Sequence, residues 1–309
     1  MDIGADDIRQ AVRLSGLKNY SGIYRPLGSG EVNNSFLLDC GENKYVLRIA
    51  KDANQRTLIK ESHALKLLDI KNAPKLIYFN ENTPMKDRLW VIETYVSGIL
   101  TQRLTPRQFE YLGKVLSAVH TINDPTKAQL NLWEHFLVAC RSFGTEDQLL
   151  NHENPRLRAL IYKGQKYMQA KQYLVDGLQL SLIHGDATPS NILVDGEIVN
   201  LIDWEFARFS DPMREFSTVY YDDIEYNQGK WRIKIRPLEK TALFSGYKAS
   251  GGELNEDRIN FWMNFDKLGA AVFLYWRLNK SQRETSEAQA KQYQLDLEHL
   301  STSLENNMP

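Results

Sequence analysis

Three polar side chains in the second half of the chain have the types and the spacing that phosphoryl transfer requires. Asp186, Asn191 and Asp203 lie among short apolar runs between residues 181 and 207. Phosphoryl transfer needs hard oxygen ligands for Mg²⁺ and a carboxylate that accepts a hydrogen bond from the attacking hydroxyl group. Two carboxylates and one carboxamide supply these groups if the fold brings them together.

The residues around these side chains predict a β-hairpin. Two short β-prone apolar runs, 192–194 and 198–202, flank an Asp-Gly pair that is a strong turn signal. Such a hairpin places Asn191 just before its first strand and Asp203 just after its second. The loop that enters the hairpin carries Asp186. The sequence therefore predicts that all three side chains meet at one end of a two-stranded ribbon.

The order of these residues resembles a known group of kinases. The tripeptide His-Gly-Asp that ends at Asp186 keeps, with Asn191, the Asp-x-x-x-x-Asn spacing of the protein-kinase catalytic loop. The Ile-Asp-Trp-Glu run around Asp203 stands where a protein kinase carries Asp-Phe-Gly. The whole pattern resembles the aminoglycoside phosphotransferase and choline kinase superfamily, whose members are small-molecule kinases with a protein-kinase-like fold.

The resemblance implies an α+β, two-lobed, protein-kinase-like fold. Residues 1–97 would form a nucleotide-binding N-lobe with a small antiparallel sheet, and residues 98–309 a mainly helical C-lobe with the catalytic loop and the substrate pocket. In this interpretation Asp186 orients the acceptor hydroxyl and accepts its proton. Asn191 and Asp203 hold Mg²⁺.

The first part of the chain contains residues that the resemblance assigns to the nucleotide. Gly28 and Gly30 lie in a turn where backbone amides can approach phosphates, and Gly30-x-x-Asn33 resembles the first hairpin of the superfamily. Arg48 occupies the position of the phosphate-binding lysine of protein kinases. Glu61, on the helix that follows, resembles the glutamate that orients this cation. A plain hairpin and a surface arginine are the alternatives that the residues leave open.

The strand that ends near Gly98 resembles the one that leads into the kinase hinge. The resemblance implies that Glu93, Tyr95 and Val96 contact adenine, mainly through backbone groups. Gly98 would mark the boundary between the lobes.

Two later stretches combine carboxylates with aromatic rings, a combination that a cationic amine favours. The first contains Asp222, Asp223 and Glu225, and the second ends with Tyr275 and Trp276. We expect these residues to contribute to the substrate pocket. The alternative is that the aromatic residues belong to the core of a buried helix and the acidic ones to a solvated helix end.

Two other positions are assigned supporting roles. The run Asp-Pro-Met-Arg-Glu that ends at Glu215 resembles a superfamily step that supports the catalytic loop, with Glu in place of the usual Asp. The run 112–120 resembles a superfamily helix that ends in His, so His120 is expected to be structural rather than catalytic. A long activation segment and an Ala-Pro-Glu motif are missing, which argues against a kinase that acts on proteins.

Composition excludes several other classes of protein. The 309 residues carry a formal net charge of −1, so there is no overall electrostatic case for binding nucleic acid or an anionic membrane. The longest apolar stretch is too short to span a bilayer, and the acidic N-terminus lacks the features of a signal peptide. Cys40 and Cys140 do not have metal-ligand spacing. We expect a cytoplasmic protein, and no protein partner is implied.

The resulting hypothesis is a kinase that uses ATP and Mg²⁺ and transfers the γ-phosphoryl group to a hydroxyl of a small molecule. A choline-like or ethanolamine-like amino alcohol is the first candidate for the acceptor, and an aminoglycoside antibiotic is the alternative. A non-catalytic nucleotide-binding regulator belongs to a different class. Loss of a catalytic residue would indicate such a regulator, and no catalytic residue is lost in this sequence.

Overall fold

The computed structural model describes residues 3–29, 33–51, 56–82, 84–124, 130–226, 232–280 and 286–308. The chain forms two compact units. The first contains residues 1–100, 184–186 and 191–208, and the second contains residues 101–183, 187–190 and 209–309.

The helices and strands are numbered in chain order. The strands are β1 (Tyr24–Ser29), β2 (Asn33–Cys40), β3 (Asn43–Ala50), β4 (Leu76–Phe79), β5 (Trp90–Thr94), β6 (Ile99–Leu100), β7 (Ser181–Ile183), β8 (Ile192–Asp195), β9 (Ile198–Leu201), β10 (Arg208–Ser210), β11 (Tyr220–Tyr221) and β12 (Ile233–Lys234). The α-helices are α1 (Ala5–Ser15), α2 (Arg56–Leu67), α3 (Pro106–Val119), α4 (Leu132–Cys140), α5 (Glu146–Leu150), α6 (Pro155–Lys171), α7 (Glu215–Val219), α8 (Pro237–Ala249), α9 (Glu256–Lys280) and α10 (Glu287–Asn307).

The first unit is built on a five-stranded antiparallel sheet with the order β1-β2-β3-β5-β4. Side chains alternate between the two faces of a strand, so β3 directs Leu47 and Ile49 to one face and Arg48 to the other. Leu47 and Ile49 are buried in a core cluster that includes Ile8 and Val12 of α1. Helix α1 therefore covers the back of the sheet, and the face that carries Arg48 is left for the site.

The predicted hairpin is present and belongs to the first unit. Strands β8 and β9 pair antiparallel, and β6 pairs with β8. The first strand is one residue longer and the second one residue shorter than the sequence indicates. The amide of Asn72 donates a hydrogen bond to the carbonyl of Val199 at 3.0 Å, which joins β9 to the segment between α2 and β4. The boundary between the compact units therefore does not fall at one point of the chain. The assignment of nucleotide binding to residues 1–97 and of catalysis and substrate binding to residues 98–309 stays a prediction.

The second unit is mainly helical. Helix α3 packs on α8, and α9, of 25 residues, contacts α4, α6 and α10. Trp262 and Phe265 of α9 are buried, as expected for the core of a buried helix. No helix among the described residues is long and apolar enough to cross a membrane. The expected α+β fold, with a small antiparallel sheet in the N-terminal region and a mainly helical C-terminal part, is confirmed.

Candidate active site

The hairpin brings the three polar residues of the sequence motif together. The N–H of Ile202 donates to the carbonyl of Asn191 at 3.0 Å, so Asn191 and Asp203 lie side by side where the two strands end. The side-chain amide of Asn191 donates to the backbone carbonyl of Asp186 at 2.9 Å and to its carboxylate at 2.8 Å. Asn191 therefore fixes the direction of the Asp186 carboxylate with its NH₂ group, and neither bond uses its own amide oxygen.

His184 links the two halves of this arrangement, a role that the sequence did not reveal. Its Nδ1 accepts from the N–H of Asp186 at 3.2 Å, and its Nε2 lies 2.9 Å from the carbonyl oxygen of Ile202. A backbone N–H only donates and a carbonyl only accepts, so these contacts require the proton on Nε2. The His184 ring is fully buried, and its centroid lies 4.5 Å from the ring centroid of Trp204. The histidine that precedes Gly-Asp in the motif is the sequence feature that could have indicated this role.

Gly185 must be glycine for two reasons. Its φ of +79° lies in the left-handed region, and a Cβ at this position would be 2.5 Å from the carbonyl oxygen of Phe206. The turn that presents Asp186 therefore depends on the missing side chain.

We expect Gly185→Ala to lower the free energy of unfolding by about 2 kcal/mol or more and to reduce turnover at least tenfold, because the backbone must move at Asp186. Gly196→Ala is the matched control, since Gly196 also has a positive φ, +62°, but a Cβ added there would meet nothing within 4 Å. The control should lose only about 1 kcal/mol and keep its turnover. Urea denaturation and a steady-state assay test this, and equal effects of the two variants would contradict the steric explanation.

Arg48 is buried and contacts two carboxylates. One nitrogen of its guanidinium bonds to Glu61, which is the pair that the sequence predicted. Its Nη2 donates to Oδ1 of Asp203 at 2.9 Å. Glu61 also accepts from the N–H of Trp204 at 3.2 Å. These contacts surround Asp203, whose backbone is left-handed (φ 65°, ψ 70°), a conformation that costs a non-glycine residue on the order of 1–3 kcal/mol.

Glu93 joins this cluster through its side chain, although the sequence assigned it a backbone role. It pairs with Val46 and Arg48 pairs with Val91, so both side chains lie on the same face of the sheet. Glu93 is 6% exposed, and its Oε2 has no hydrogen-bond partner among the described residues. Burial raises the pKa of Glu93 to about 8 and that of Glu61 to about 7, against the opposing charge of Arg48.

These raised pKa values predict a stability that falls as pH rises. Folded Glu93 keeps its proton up to about pH 8, whereas the unfolded side chain loses it near 4.5. Its contribution is therefore fully present below about pH 4.5 and is lost as pH rises through 8. We expect the gain in stability of Glu93→Gln over the unmodified protein, measured without added Mg²⁺, to be larger at pH 8.5 than at pH 5.5 by at least about 1 kcal/mol.

Urea denaturation at both pH values measures this difference. Glu42→Gln removes an exposed carboxylate from the turn between β2 and β3 and should leave the pH dependence unchanged. An unchanged pH dependence in Glu93→Gln would show that Glu93 is ionised in the folded protein.

The remaining predicted nucleotide contacts are placed as follows. Gly28 lies in β1 opposite Ser35, Gly30 lies outside the described residues, and Asn33 is buried on β2. The N–H of Tyr95 donates to the carbonyl of Lys44 at 3.0 Å, so this donor is used within the sheet. Val96 is the next residue of the chain after Tyr95.

Glu205 is an acidic residue of the site that the sequence interpretation left without a role. Burial raises its pKa to about 7, with further contributions from Asp203, Glu61 and Asp186, whereas Arg48 opposes the shift. Its acidic side chain two residues after Asp203 is the sequence feature that could have indicated a place in the site. Asp186, Asp203 and Glu205 place three carboxyl groups at one end of the hairpin, and their oxygens suit a bound cation.

The oxygen donors at this end fit a magnesium ion. Mg²⁺ is usually held by one or two carboxylates together with substrate phosphates rather than by a cage of protein ligands. Asp203 supplies a partly exposed carboxylate, and Asn191 supplies an amide oxygen. Within the part of the chain that the structure describes, no group of three or more His, Cys, Asp or Glu side chains could hold a metal ion by itself. A nucleotide would have to complete the site.

The predicted substrate carboxylates all face basic side chains of the second unit. Asp223 accepts from the buried Lys267 at 2.7 Å, and Ser303 of α10 also bonds to it. The full set of pairs is Asp222 with Lys240 (3.2 Å), Asp223 with Lys267 (2.7 Å) and Glu225 with Arg103 (3.6 Å). The charges of Asp222 and Asp223 are therefore largely compensated within the protein, whereas Glu225 shares Arg103 with Glu239, which that guanidinium contacts at 2.7 Å.

Tyr275 and Trp276 have different surroundings. Tyr275 lines an open cleft of about 420 Å³ with Glu153, Asn154, Leu278 and Asn279. Trp276 packs on the rings of Phe143 and Phe273, at 5.4 and 6.3 Å. The two residues therefore do not contribute to one common set of contacts, and their roles in substrate binding stay predictions.

Comparison with known proteins assigns the chain to a family. Residues 23–253 match the model of the APH phosphotransferase enzyme family. This match covers more than half of the chain, and the protein belongs to the APH phosphotransferase enzyme family. It is thus a phosphotransferase, as the motif predicted.

Solved structures show the same fold at low sequence identity. Choline kinase LicA from Streptococcus pneumoniae is 16% identical, with a TM-score of 0.65, over 96% of this chain and 98% of that one. Spectinomycin phosphotransferase APH(9)-Ia, solved with ADP and spectinomycin, is 15% identical, with a TM-score of 0.62, over 99% of both chains. A curated relative, the "probable serine/threonine-protein kinase BUD32 homolog" of Archaeoglobus fulgidus, is 24% identical over 180 residues, which is 56% of this chain and 80% of that protein.

Proposed function

We propose that the protein transfers the γ-phosphoryl group of ATP to a hydroxyl group of a small molecule in the presence of Mg²⁺. The observation that carries this proposal is the Asp186 carboxylate, held by Asn191 at 2.8 Å beside Asp203 at the end of one hairpin. An oriented carboxylate next to oxygen ligands for a metal ion is what phosphoryl transfer to a hydroxyl requires. The ADP in the spectinomycin phosphotransferase structure supports a nucleotide substrate.

Each residue of the site has a defined part in this proposal. Asp186 accepts a hydrogen bond from the acceptor hydroxyl and takes its proton as the new bond forms. Arg48, oriented by Glu61, contacts the nucleotide phosphates. Asn191 and Asp203 would hold Mg²⁺, which neutralises phosphate charge when it is bound. The contacts of Gly28, Gly30, Asn33, Tyr95 and Val96 with the nucleotide stay predictions.

The role of Asp203 is tested by its effect on nucleotide affinity. Asp203→Ala should weaken the binding of ATP at least tenfold when Mg²⁺ is present, because one of the two proposed protein ligands is lost. In EDTA the variant and the unmodified protein should differ by less than about twofold to threefold, a ratio worth under 0.7 kcal/mol. Isothermal titration calorimetry with and without Mg²⁺ measures both. An equal loss under both conditions would contradict the role as a metal ligand.

The acceptor that we propose is an amino alcohol with one positive charge, such as choline or ethanolamine. An aminoglycoside with several ammonium groups needs several uncompensated carboxylates, because each buried charge must be paired. Asp222, Asp223 and Glu225 each already face a lysine or an arginine. This pairing favours an acceptor of low charge. A cytoplasmic location, where ATP is available, is part of the same proposal.

An ADP-release assay with Mg²⁺-ATP tests the acceptor class. The panel contains choline and ethanolamine, spectinomycin and kanamycin as aminoglycoside-type acceptors, and an uncharged sugar. We expect turnover above the background hydrolysis of ATP with the amino alcohols alone. Turnover with kanamycin and not with choline would establish the aminoglycoside alternative. Measurable ATP binding without turnover of any acceptor would favour a nucleotide-binding regulator.

A further inference from the structure

A series of buried polar contacts in the second unit ends at the catalytic loop. Glu215 is fully buried, and the hydroxyl of Thr218 lies 2.8 Å from one of its carboxylate oxygens and 2.7 Å from its backbone carbonyl oxygen, the two acceptors for the one hydroxyl proton. The hydroxyl oxygen of Thr218 accepts from the N–H of Ala187 at 3.2 Å. Ala187 directly follows Asp186, so this series fixes the peptide next to the proposed base.

His120 stands at the other end of the series. It follows the last residue of α3, and its Nδ1 lies 2.8 Å from the hydroxyl of Tyr247 on α8. Its Nε2 lies 3.7 Å from Oε2 of Glu215 and has no hydrogen-bond partner among the described residues. Burial raises the pKa of Tyr247, so the phenol keeps its proton and can donate to Nδ1. When the phenol donates to Nδ1, the proton of a neutral imidazole lies on Nε2, the edge that faces the carboxylate.

The burial of these groups makes their mutual arrangement important. A carboxylate removed from water is costly unless a donor or a positive charge compensates it. The imidazole edge of His120 and the hydroxyl of Thr218 face the two oxygens of Glu215. We expect loss of the imidazole to let the Glu215 carboxylate shift, and the Thr218 hydroxyl, which accepts from the Ala187 N–H, to shift with it.

We propose that His120 is a positioning residue that acts through Glu215 and Thr218 on the backbone at Ala187 and so sets the direction of Asp186. This inference rests on the proposed role of Asp186. It differs from the expectation that His120 is merely structural, because it requires a specific effect on turnover. Arg48, Glu61 and Asp203 make their contacts with one another in the first unit, so the KM for ATP should be preserved.

The test compares three variants by two measurements. His120→Leu removes both ring nitrogens, and His120→Gln keeps an N–H donor that can face Glu215. Ser117→Ala is the matched control, because Ser117 is a buried residue of α3 that donates to the carbonyl of Ser250 at 3.0 Å, away from this series. Hydrogen–deuterium exchange reports the peptide that contains Ala187, and steady-state kinetics report kcat and KM.

For His120→Leu we expect at least tenfold faster exchange at Ala187. We also expect a fall in kcat of about 10²-fold, since a misplacement of about 1 Å can cost that much, with the KM for ATP within about threefold of its original value. His120→Gln should recover most of both losses, and Ser117→Ala should show neither. Unchanged exchange at Ala187 in folded His120→Leu, or a rise in KM that equals the fall in kcat, would overturn the proposal.

Two further outcomes remain decisive. If His120→Leu does not fold, Tyr247→Phe carries the same test, since it removes only the hydroxyl that orients the ring, and unchanged exchange at Ala187 would again refute the role of His120. If the unmodified protein turns over no acceptor, the proposed function fails. The exchange measurement still shows in that case whether His120 controls the loop, so the two failures are distinguishable.

Discussion

Replacement of Asp186 with Asn should reduce turnover by about 10³-fold and leave the affinity for ATP within about threefold of its original value, since general-base catalysis contributes about 10²–10⁴-fold. Asn has the shape of Asp but cannot accept the proton of the acceptor hydroxyl. The carbonyl oxygen of the new amide can still accept the hydrogen bond that Asn191 donates to Oδ2 of Asp186 at 2.8 Å. The loop should therefore keep its position while the chemistry is lost.

An ADP-release assay with the best acceptor of the panel and calorimetric titration with Mg²⁺-ATP separate the two effects. Asp195→Asn is the matched control, because Asp195 is an exposed carboxylate at the tip of the same hairpin. We expect this control to retain full turnover and full affinity. Near-original turnover in Asp186→Asn would refute the assignment of Asp186 as the base, and a parallel loss of ATP affinity would indicate a role in nucleotide binding.

The parts of the site that are local in sequence could be predicted. The Asp-Gly turn and the apolar runs on either side determine the hairpin, and the hairpin register places Asn191 beside Asp203. Such a turn restricts its few residues strongly, so little information from the rest of the chain is needed. Arg48 and Glu61, thirteen positions apart, could be paired only through the resemblance to kinases.

The parts that depend on distant pairing could not be predicted. Arg48 and Asp203 are 155 positions apart, and their contact depends on how α2 and the hairpin pack on the sheet. In the sequence, Glu93 is one residue within a mostly apolar strand. Only the register of β3 with β5 shows that its side chain lies on the same face of the sheet as Arg48. Sequence patterns indicate which face a residue shares with its strand neighbours, but not which strand lies beside it.

The acidic stretch near the end of β11 shows the same limit for charge. Asp222, Asp223 and Glu225 resemble a site for a cationic amine until their partners are known. Lys267, which neutralises Asp223, lies 44 positions later, and Ser303, which bonds to the same carboxylate, lies 80 positions later. Composition gives the number of charges, whereas only the fold determines which of them compensate one another.

Replacement of Arg48 with Met should produce a large loss of stability, and the loss should depend on pH. Removal of one partner from a buried ion pair typically costs about 3–5 kcal/mol, because the other charge stays buried. Arg48 faces Glu61 and Asp203 directly and lowers the pKa of Glu61 and of Glu93 by its charge. Without the guanidinium these carboxyl groups should hold their protons to still higher pH in the folded state.

The direction of the pH dependence follows from proton linkage. Above pH 4.5 the unfolded glutamates are ionised, whereas the folded ones without Arg48 stay protonated, so stability falls as pH rises through the folded pKa values. We therefore expect a loss of about 3–5 kcal/mol at pH 8, where the folded variant must either protonate these groups or bury their charge, and a clearly smaller loss at pH 5.5, where protonation costs less free energy. Urea denaturation at both pH values, without Mg²⁺ or nucleotide, measures the difference.

Two further variants distinguish the buried charge from a general effect of losing an arginine. Arg25 lies exposed on β1, and Arg25→Met should change stability by no more than about 0.5 kcal/mol at either pH. Arg48→Lys keeps the charge but loses the fork that contacts Glu61 and Asp203 through separate nitrogens, so its loss should be intermediate and less dependent on pH. An equal loss at pH 5.5 and pH 8 in Arg48→Met would show that Arg48 stabilises the sheet by packing, and the three carboxylates would then need another source of compensation.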